Sequence, residues 1–336
     1  MPGEYGPAGG YRRHPRIPGR TRKGKIHEVV DLLPTDSFAN VAAAEGEDAA
    51  AIDDGDHYIL FAADGIMESL VESDPYMAGY FAVLVNINDI AAMGGRATAM
   101  VDVMSMSDEV LCGRMLRGME EGVRRFRVPI VGGHTHPDCD YHAIDISVIG
   151  RVRKDALVRS STAADGDDVV MVMDLDGHYP KTTPYAWETT LAKDPKLVRR
   201  QMEAAAIVAE NHWVHAGKDL SNPGSVGTLG MLLETSEMGA EVDIRSIPIP
   251  ESEKGEGLIR WLLAYQGCGF VYSCPPEHSA DVIAEFAKVG CAGAVVGKIN
   301  SSRRLTLTMD GEKGVLFDFT KDIITGCRPK SRRKSE

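Results

Sequence analysis

The run Val85-Asn86-Ile87-Asn88-Asp89-Ile90-Ala91-Ala92-Met93-Gly94-Gly95 closes a helix that the sequence predicts to open after Asp74-Pro75. Its apolar positions, Tyr80, Val83, Leu84, Ile87, Ile90 and Ala91, recur at i, i+3 and i+4 and so share one helical face. Gly94-Gly95 stops the helix. Asn86 and Asp89, three residues apart, are expected to share a face away from that apolar stripe.

Working outward from this helix, residues 25–153 read as one alternating α/β unit. Upstream, a strand over His57–Ala63 runs into Asp64-Gly65. Downstream come a strand over Thr98–Met104 and a helix through Leu111, Met115, Met119 and Val123, with Ser107 as its cap. Arg124, Arg125 and Arg127 suit the negative end of that helix's dipole. Pro129–Val131 ends at Gly132-Gly133, and Ala143–Gly150 alternates as a strand does. The second half spans 160–326. It opens with the turn Asp165-Gly166-Asp167-Asp168 and the strand Val169–Met173. A long loop over 174–195, a helix over Lys196–Asn211, the stretch Lys218–Gly230 and a strand-rich region to Phe319 follow. The expected class is α/β in two domains.

Composition agrees with a folded protein. The 336 residues are 43% hydrophobic and 26% charged, with 37 Lys+Arg against 49 Asp+Glu. The charge is unevenly spread. Residues 1–25 hold seven basic residues and one acid, and residues 328–336 hold five and one. Between them lie 25 basic and 47 acidic residues, a formal charge of −22. So acidic a body is a poor surface for nucleic acid, which is held by clustered cations. The ends, 1–24 and 327–336, read as a flexible basic arm and a basic tail. Arg12-Arg13 lacks the apolar stretch of an export signal, and no segment reaches the roughly 18 apolar residues of a membrane span. Six scattered cysteines without a CxxC pair fit free thiols in the cytoplasm.

The acids of chemical interest stand at predicted element ends. Asp48 lies in Gly46-Glu47-Asp48-Ala49-Ala50, Asp64 at the end of a strand, Asp89 on the helix, and Asp219 before a capped helix. As a set they suit a magnesium–nucleotide site, because Mg²⁺ takes hard oxygen ligands and shares them with phosphates. In Asn222-Pro223-Gly224, Asn222 can cap and Pro223 suits the first helical position. Gly224, Gly227 and Gly230 leave one bare strip, open to a phosphate at the helix start or to a closely packed helix. No GxxxxGK[ST] is present, so a nucleotide site here is not a P-loop. The cluster His134-Thr135-His136-Pro137-Asp138-Cys139-Asp140-Tyr141-His142 has the residue types to bind zinc or iron but matches no closed zinc spacing; a polar loop that touches phosphate or Mg²⁺ is the preferred reading and a transition-metal site the alternative.

Four of these motifs resemble the aminoimidazole ribonucleotide synthetase (PurM-like) superfamily: Gly46–Ala50, Ala63-Asp64-Gly65, Val85–Gly95 and Gly132-Gly133-His134-Thr135. That superfamily also holds thiamine-monophosphate kinase and selenophosphate synthetase. More narrowly, His134–Asp138, Asp174-Leu175-Asp176-Gly177, Pro184-Tyr185-Ala186-Trp187 and Gly217–Gly224 resemble its methanogenesis-marker branch, marker protein 2. The resemblance implies an N-terminal domain whose sheet joins a second subunit's in a β-barrel-like homodimer interface, with a C-terminal α/β domain beside it. ATP and Mg²⁺ are the implied cofactors. Asp48, Asp64, Asp89 and Asp219 fall at its metal-site acids, Gly132 and Gly133 at its phosphate-proximal pair, and Arg22 and Lys23 in a segment that folds over nucleotide. Thr135, Asn86, Asn222 and Gly224 complete the expected nucleotide site, and His134 and Asp219 are the expected catalytic pair.

Two departures bear on function. His134 stands where kinases of the superfamily carry an acid, and Asn222 replaces the second acid of Asp-Ile-Ser-Asp-Gly. No Cys precedes Cys112, unlike the reactive residue of selenophosphate synthetase, and Cys327 is followed by nine residues, unlike the C-terminal Cys modified by the hydrogenase-maturation member. The expected activity is ATP-dependent phosphorylation or activation of an unidentified acceptor. The alternatives are a thiamine-monophosphate kinase-like enzyme and a nucleotide-binding protein without catalysis. A nucleic-acid partner held by the basic ends ranks below both.

Overall fold

The computed structural model describes residues 46–327 without a break, together with Lys23, Ile26, Val29, Leu32, Leu33 and residues 39–43. Arg22 and most of the basic arm and tail lie outside the described residues. The first half runs β1 (Val41–Ala43), β2 (Ala50–Asp54), β3 (His57–Gly65), α1 (Glu68–Ser73), α2 (Pro75–Ala92), β4 (Arg96–Ser105), α3 (Glu109–Phe126), β5 (Ile130–His136) and β6 (Ala143–Arg153). The second begins with β7 (Asp168–Met173), β8 (Ala186–Trp187), α4 (Pro195–Glu210), β9 (Ala216–Asp219), α5 (Ser225–Ser236) and β10 (Gly239–Asp243). It continues through α6 (Leu258–Leu263), β11 (Tyr265–Gln266), β12 (Gly269–Cys274), α7 (Ser279–Ala287), β13 (Ala292–Asn300), β14 (Arg304–Met309) and β15 (Glu312–Asp318).

The helix that decides the fold forms as its sequence dictates. The Asp74 carboxylate accepts the Met77 N–H at 3.3 Å, and Pro75 occupies the first turn. Its surroundings differ from the expectation. Asn86 is 0% exposed and Asn88 3%, so α2 has no solvent face over this stretch. It packs on α3, β3 and β6 of its own half, and on α4 and β9 of the second half. Two glycines let α2 and α3 close: a Cβ on Gly118 would lie 1.9 Å from the Tyr76 carbonyl, and one on Gly79 2.1 Å from the Met115 carbonyl.

Two local expectations for α3 are corrected. Asp108, not Ser107, caps it, accepting from the Val110 and Leu111 N–H groups at 2.8 and 2.9 Å. Arg125 does not simply face the helix dipole. It is buried and donates to the carbonyls of Thr190 and Lys193 at 3.0 and 2.8 Å, and to that of Leu191. The 174–195 loop of the second half is thereby tied to the first.

The first sheet has the order β1-β2-β3-β6-β4-β5, antiparallel except where β5 joins β4. One chain makes an open sheet, so a barrel needs a second copy. One face packs on α2, with α1 against β6, and α3 covers α2 from outside. The other leaves Phe61, Val101, Val103 and Ile149 exposed, with Phe61 directly opposite Ile149. The second sheet has the order β15-β14-β10-β13-β7-β12-β9, and its strands β7 and β12 are buried along their whole length. Strand β7 shows the alternation. Val170 and Val172 join the core shared with α2 and α4, while Val169, Met171 and Met173 join the core under α5 and α6.

The start of α5 also departs from the reading. Asn222-Pro223 is a cis peptide, Gly224 at φ 90° is the N-cap residue, and no side chain caps the helix. Asn222 therefore does not cap, and Pro223 lies before the helix. The glycine strip serves close packing. A Cβ on Gly224 would lie 2.4 Å from the Leu262 carbonyl, one on Gly227 2.4 Å from the Pro223 ring, and one on Gly230 2.8 Å from Ile324.

Candidate active site

Three distant stretches of backbone deliver three carboxylates to one place. The first is the 46–48 loop. Gly46 is at φ 87° with Cys327 against its α-carbon, and its carbonyl accepts from Ser160 Oγ at 3.1 Å. Glu47 accepts from the Ser160 N–H at 2.5 Å and from Ser161 Oγ at 2.7 Å. These contacts hold the loop that carries Asp48 against the second half. The second stretch is α2, which carries Asp89. The third is β9, the edge strand of the second sheet, which ends on Asp219. Single ligand oxygens of Asp48, Asp89 and Asp219 all lie within 4.8 Å of one another.

They line a cavity of about 470 Å³ between the two halves. Asp64, Asn88, Asn222, Glu47 and Lys23 line it too. Its apolar walls include Leu70, Phe81, Leu84 and Trp187. Trp187 is fixed there by its Nε1–H, which donates to the Asp174 carbonyl at 3.0 Å, and by edge contacts with Tyr179 and Trp261.

The electrostatics of the acidic cluster are severe. Burial pushes the Asp219 carboxyl up to about 7, and the charge of Asp48 adds to the shift, against Lys218 and Lys23. Burial likewise raises Asp89 well above the ordinary carboxylate range, with Asp219, Asp48 and Asp64 adding to it. Lys218, 4% exposed, sits inside this cluster with its Nζ donating to Asp48 Oδ1. Burial works against its charge. The acids Asp48, Glu47 and Asp219 outweigh it, so the ammonium titrates above its ordinary value.

Several buried oxygens here lack a hydrogen-bond partner: Asp48 Oδ2, Asp219 Oδ1 and Asn88 Oδ1. Orphaned acceptors at this density are costly unless a cation takes them. Three hard oxygen donors of this type fit Mg²⁺.

Of the residues expected from sequence, Asp48, Asp64, Asp89, Asp219, Asn222 and Lys23 meet at this cavity. Asn86 does not: it is turned back on its own helix, donating to the Ala82 carbonyl at 2.8 Å. Its neighbour Asn88 lines the cavity instead and donates to the Gly267 carbonyl at 3.3 Å. Gly224 faces α6. Gly132, Gly133, His134 and Thr135 lie on β5, an edge strand, and do not line the cavity of their own chain. The expected loop at His134 is therefore strand as far as His136, and the two imidazoles pack edge to face at 4.5 Å. Lys218 was not expected. Its one sequence signal is its place beside Asp219, and strand alternation alone would send it to the opposite side.

Comparison with known proteins agrees with this architecture. The N-terminal domain model of AIR synthase related proteins matches residues 46–152, and the C-terminal domain model matches 155–310. An uncharacterized protein of Methanocaldococcus jannaschii is 43% identical over 92% of this chain and 96% of its own. Among solved structures, Thermotoga maritima PurL complexed with ADP superposes with a TM-score of 0.71 at 18% identity, over 88% of this chain and 48% of PurL. AaThiL complexed with AMPPCP and TMP gives 0.65 at 16% identity, over 88% of this chain and 96% of that one. This chain thus spans about half the length of PurL. It belongs to the AIR synthase related family and has the PurM-like two-domain fold.

Proposed function

We propose that this AIR synthase related protein is an ATP- and Mg²⁺-dependent enzyme that phosphorylates or otherwise activates an acceptor, a small molecule or a protein, and works as a homodimer. The observation that carries the reading is the meeting of Asp48, Asp89 and Asp219 oxygens within 4.8 Å in a cavity with both polar and apolar walls. Mg²⁺ bound there would neutralise phosphate charge, the main catalytic need of phosphoryl transfer. Asp48 Oδ2, Asp89 and Asp219 Oδ1 would hold it, with Asp64 and Asn88 beside them. The Lys23 ammonium offers a phosphate its partner, and Phe81, Leu84 and Trp187 would hold an uncharged part of a ligand away from water. The ADP and AMPPCP of the structural neighbours support a nucleotide in this fold.

The exposed face of the first sheet supports the homodimer, since Phe61, Val101, Val103 and Ile149 form an apolar surface that a second copy would cover. In such a dimer Gly132, Gly133, His134 and Thr135 would act from β5 at the interface rather than in their own chain's cavity. The link with methanogenesis rests on the marker-type motifs at 134–138, 184–187 and 217–224.

Calorimetry with Mg-ATP tests the reading. The native chain should bind, and Asp89→Asn should lose that binding while remaining folded. Unchanged affinity in the variant removes Asp89 from the site. Phosphorus NMR with candidate acceptors then distinguishes ADP from AMP as product. A second reading, a nucleotide-binding protein without turnover, is favoured by Asn222, which lines the cavity where the kinase motif has an acid. Mg-ATP binding with no ADP or AMP release in cell extract would select it. A ThiL-like small-molecule kinase is a narrower version of the first reading, and the same Asn222 counts against it.

A further inference from the structure

Lys218 is a buried cation planted among the acids of a site read as binding a divalent ion. Its Nζ donates to Asp48 Oδ1 and lies 3.5 Å from the Gly46 carbonyl. Both side chains of the pair are almost closed to solvent, at 5% for Lys218 and 8% for Asp48. The other Asp48 oxygen, Oδ2, stays unpartnered and is buried. Asp48 is therefore split between two duties: one oxygen on a fixed ammonium, the other open to the cluster.

Among the three carboxylates whose oxygens converge, Lys218 offsets one negative charge and occupies one oxygen. Glu47, which lines the cavity too, has its oxygens on the Ser160 N–H and Ser161 Oγ and offers the cluster no free one. A two-ion centre spaces its metals about 3.5–4 Å apart and commonly shares a carboxylate between them. Asp48 is the carboxylate placed for sharing, and Lys218 holds the oxygen that sharing would need.

We infer that Lys218 stands in for a second divalent ion, so that the Asp48–Asp89–Asp219 cluster takes a single one in the absence of nucleotide. The inference rests on the Mg²⁺ reading above and assigns to Lys218 a positioning role, through Asp48. It also bears on the acceptor step: a further divalent ion would arrive with the nucleotide phosphates, because the Asp48 oxygen it would share is held by Lys218.

Mn²⁺ titration of the nucleotide-free chain, followed by electron paramagnetic resonance, tests it. The native protein should take up one ion per chain at this cluster, with an uncoupled six-line spectrum. Two spin-coupled ions in the native chain would overturn the inference while leaving the Mg²⁺ reading intact, and this measurement needs no variant to fold. No Mn²⁺ uptake would count against the Mg²⁺ reading itself. Lys218→Met should raise the count from one to two ions per chain with a spin-coupled spectrum, and Lys218→Arg should restore one. If Lys218 only fastened the 46–48 loop to β9, Lys218→Met would keep a single uncoupled ion, which also overturns the inference.

Discussion

Replacing Asp219 by Asn should stabilise the metal-free protein and cost it Mg-ATP binding, and the size of the gain should depend on pH. Asp219 is 5% exposed, and its carboxyl is pushed from 3.8 up to about 7, first by burial and then by Asp48. Raising an acid's folded-state value means that the unfolded chain releases the proton more readily. The penalty is therefore absent below about 4, grows between about 4 and 7, and is fully present above 7. At roughly 1.4 kcal/mol per unit, the ceiling is about 4 kcal/mol at pH ~8 and about 2 kcal/mol at pH ~5.5. Asn is nearly the same size and carries no charge, so it should remove this term. The assay is urea unfolding of the native and Asp219→Asn chains in chelator-containing buffer at both pH values. The variant should be the more stable at both, with a gap that roughly halves at the lower pH. Saturating Mg²⁺ should close the gap at pH ~8 by stabilising the native chain alone. A gap independent of pH, or a less stable variant, would refute the burial-and-repulsion account of the cluster.

Three further outcomes follow from packing. Gly118→Ala, whose new Cβ would meet the Tyr76 carbonyl at 1.9 Å, should push α3 off α2 and lower stability by about 1–3 kcal/mol or more, measured by urea unfolding. Arg125→Met keeps the bulk but strands the carbonyls of Thr190, Leu191 and Lys193, and should cost about 3 kcal/mol. It should also open the 174–195 loop to limited proteolysis, whereas an unchanged cleavage rate would show that the loop is held elsewhere. If the native chain sediments as the proposed dimer, Val103→Asp, on the exposed sheet face, should bring it to a monomer without loss of helicity; an unshifted dimer would take the contact off this face, and a native monomer would refute the homodimer.

What could be read in the sequence, and what could not, divides by the range of the contacts. The 75–92 helix was legible because its apolar spacing and its Asp74-Pro75 start are local properties; Asp48, Asp64 and Asp219 stand out because each lies at or beside a strand end, whereas Asp89 lies inside the helix and stands out only by its motif. The apolar spacing of this helix implies a polar face shared by Asn86 and Asp89, which the structure does not form. With α4 and β9 packed on its other side, α2 has no solvent face, and Asn88 rather than Asn86 reaches the cavity. The Asn222-Pro223-Gly224 start of α5 follows a pattern that usually means a cap, yet the turn places Gly224 against α6, where no side chain fits. Lys218 could not have been found. Its partner Asp48 is 170 residues away, and only the fold brings them together. His134, expected in a polar loop at the phosphate or Mg²⁺, lies on a strand instead and does not line its own chain's cavity.

The order in which the cluster is assembled has a consequence for synthesis of the chain. Asp48 and Asp89 leave the ribosome long before Asp219, and a nascent N-terminal half presents two acids but no complete ion site. The third carboxylate and the lysine that offsets the first are consecutive residues, Lys218 and Asp219, so repulsion and its remedy arrive in the same strand. Ion capture should therefore begin only when β9 has docked, which would make a bound divalent ion a report that the chain has been completed to at least that strand and has closed on itself.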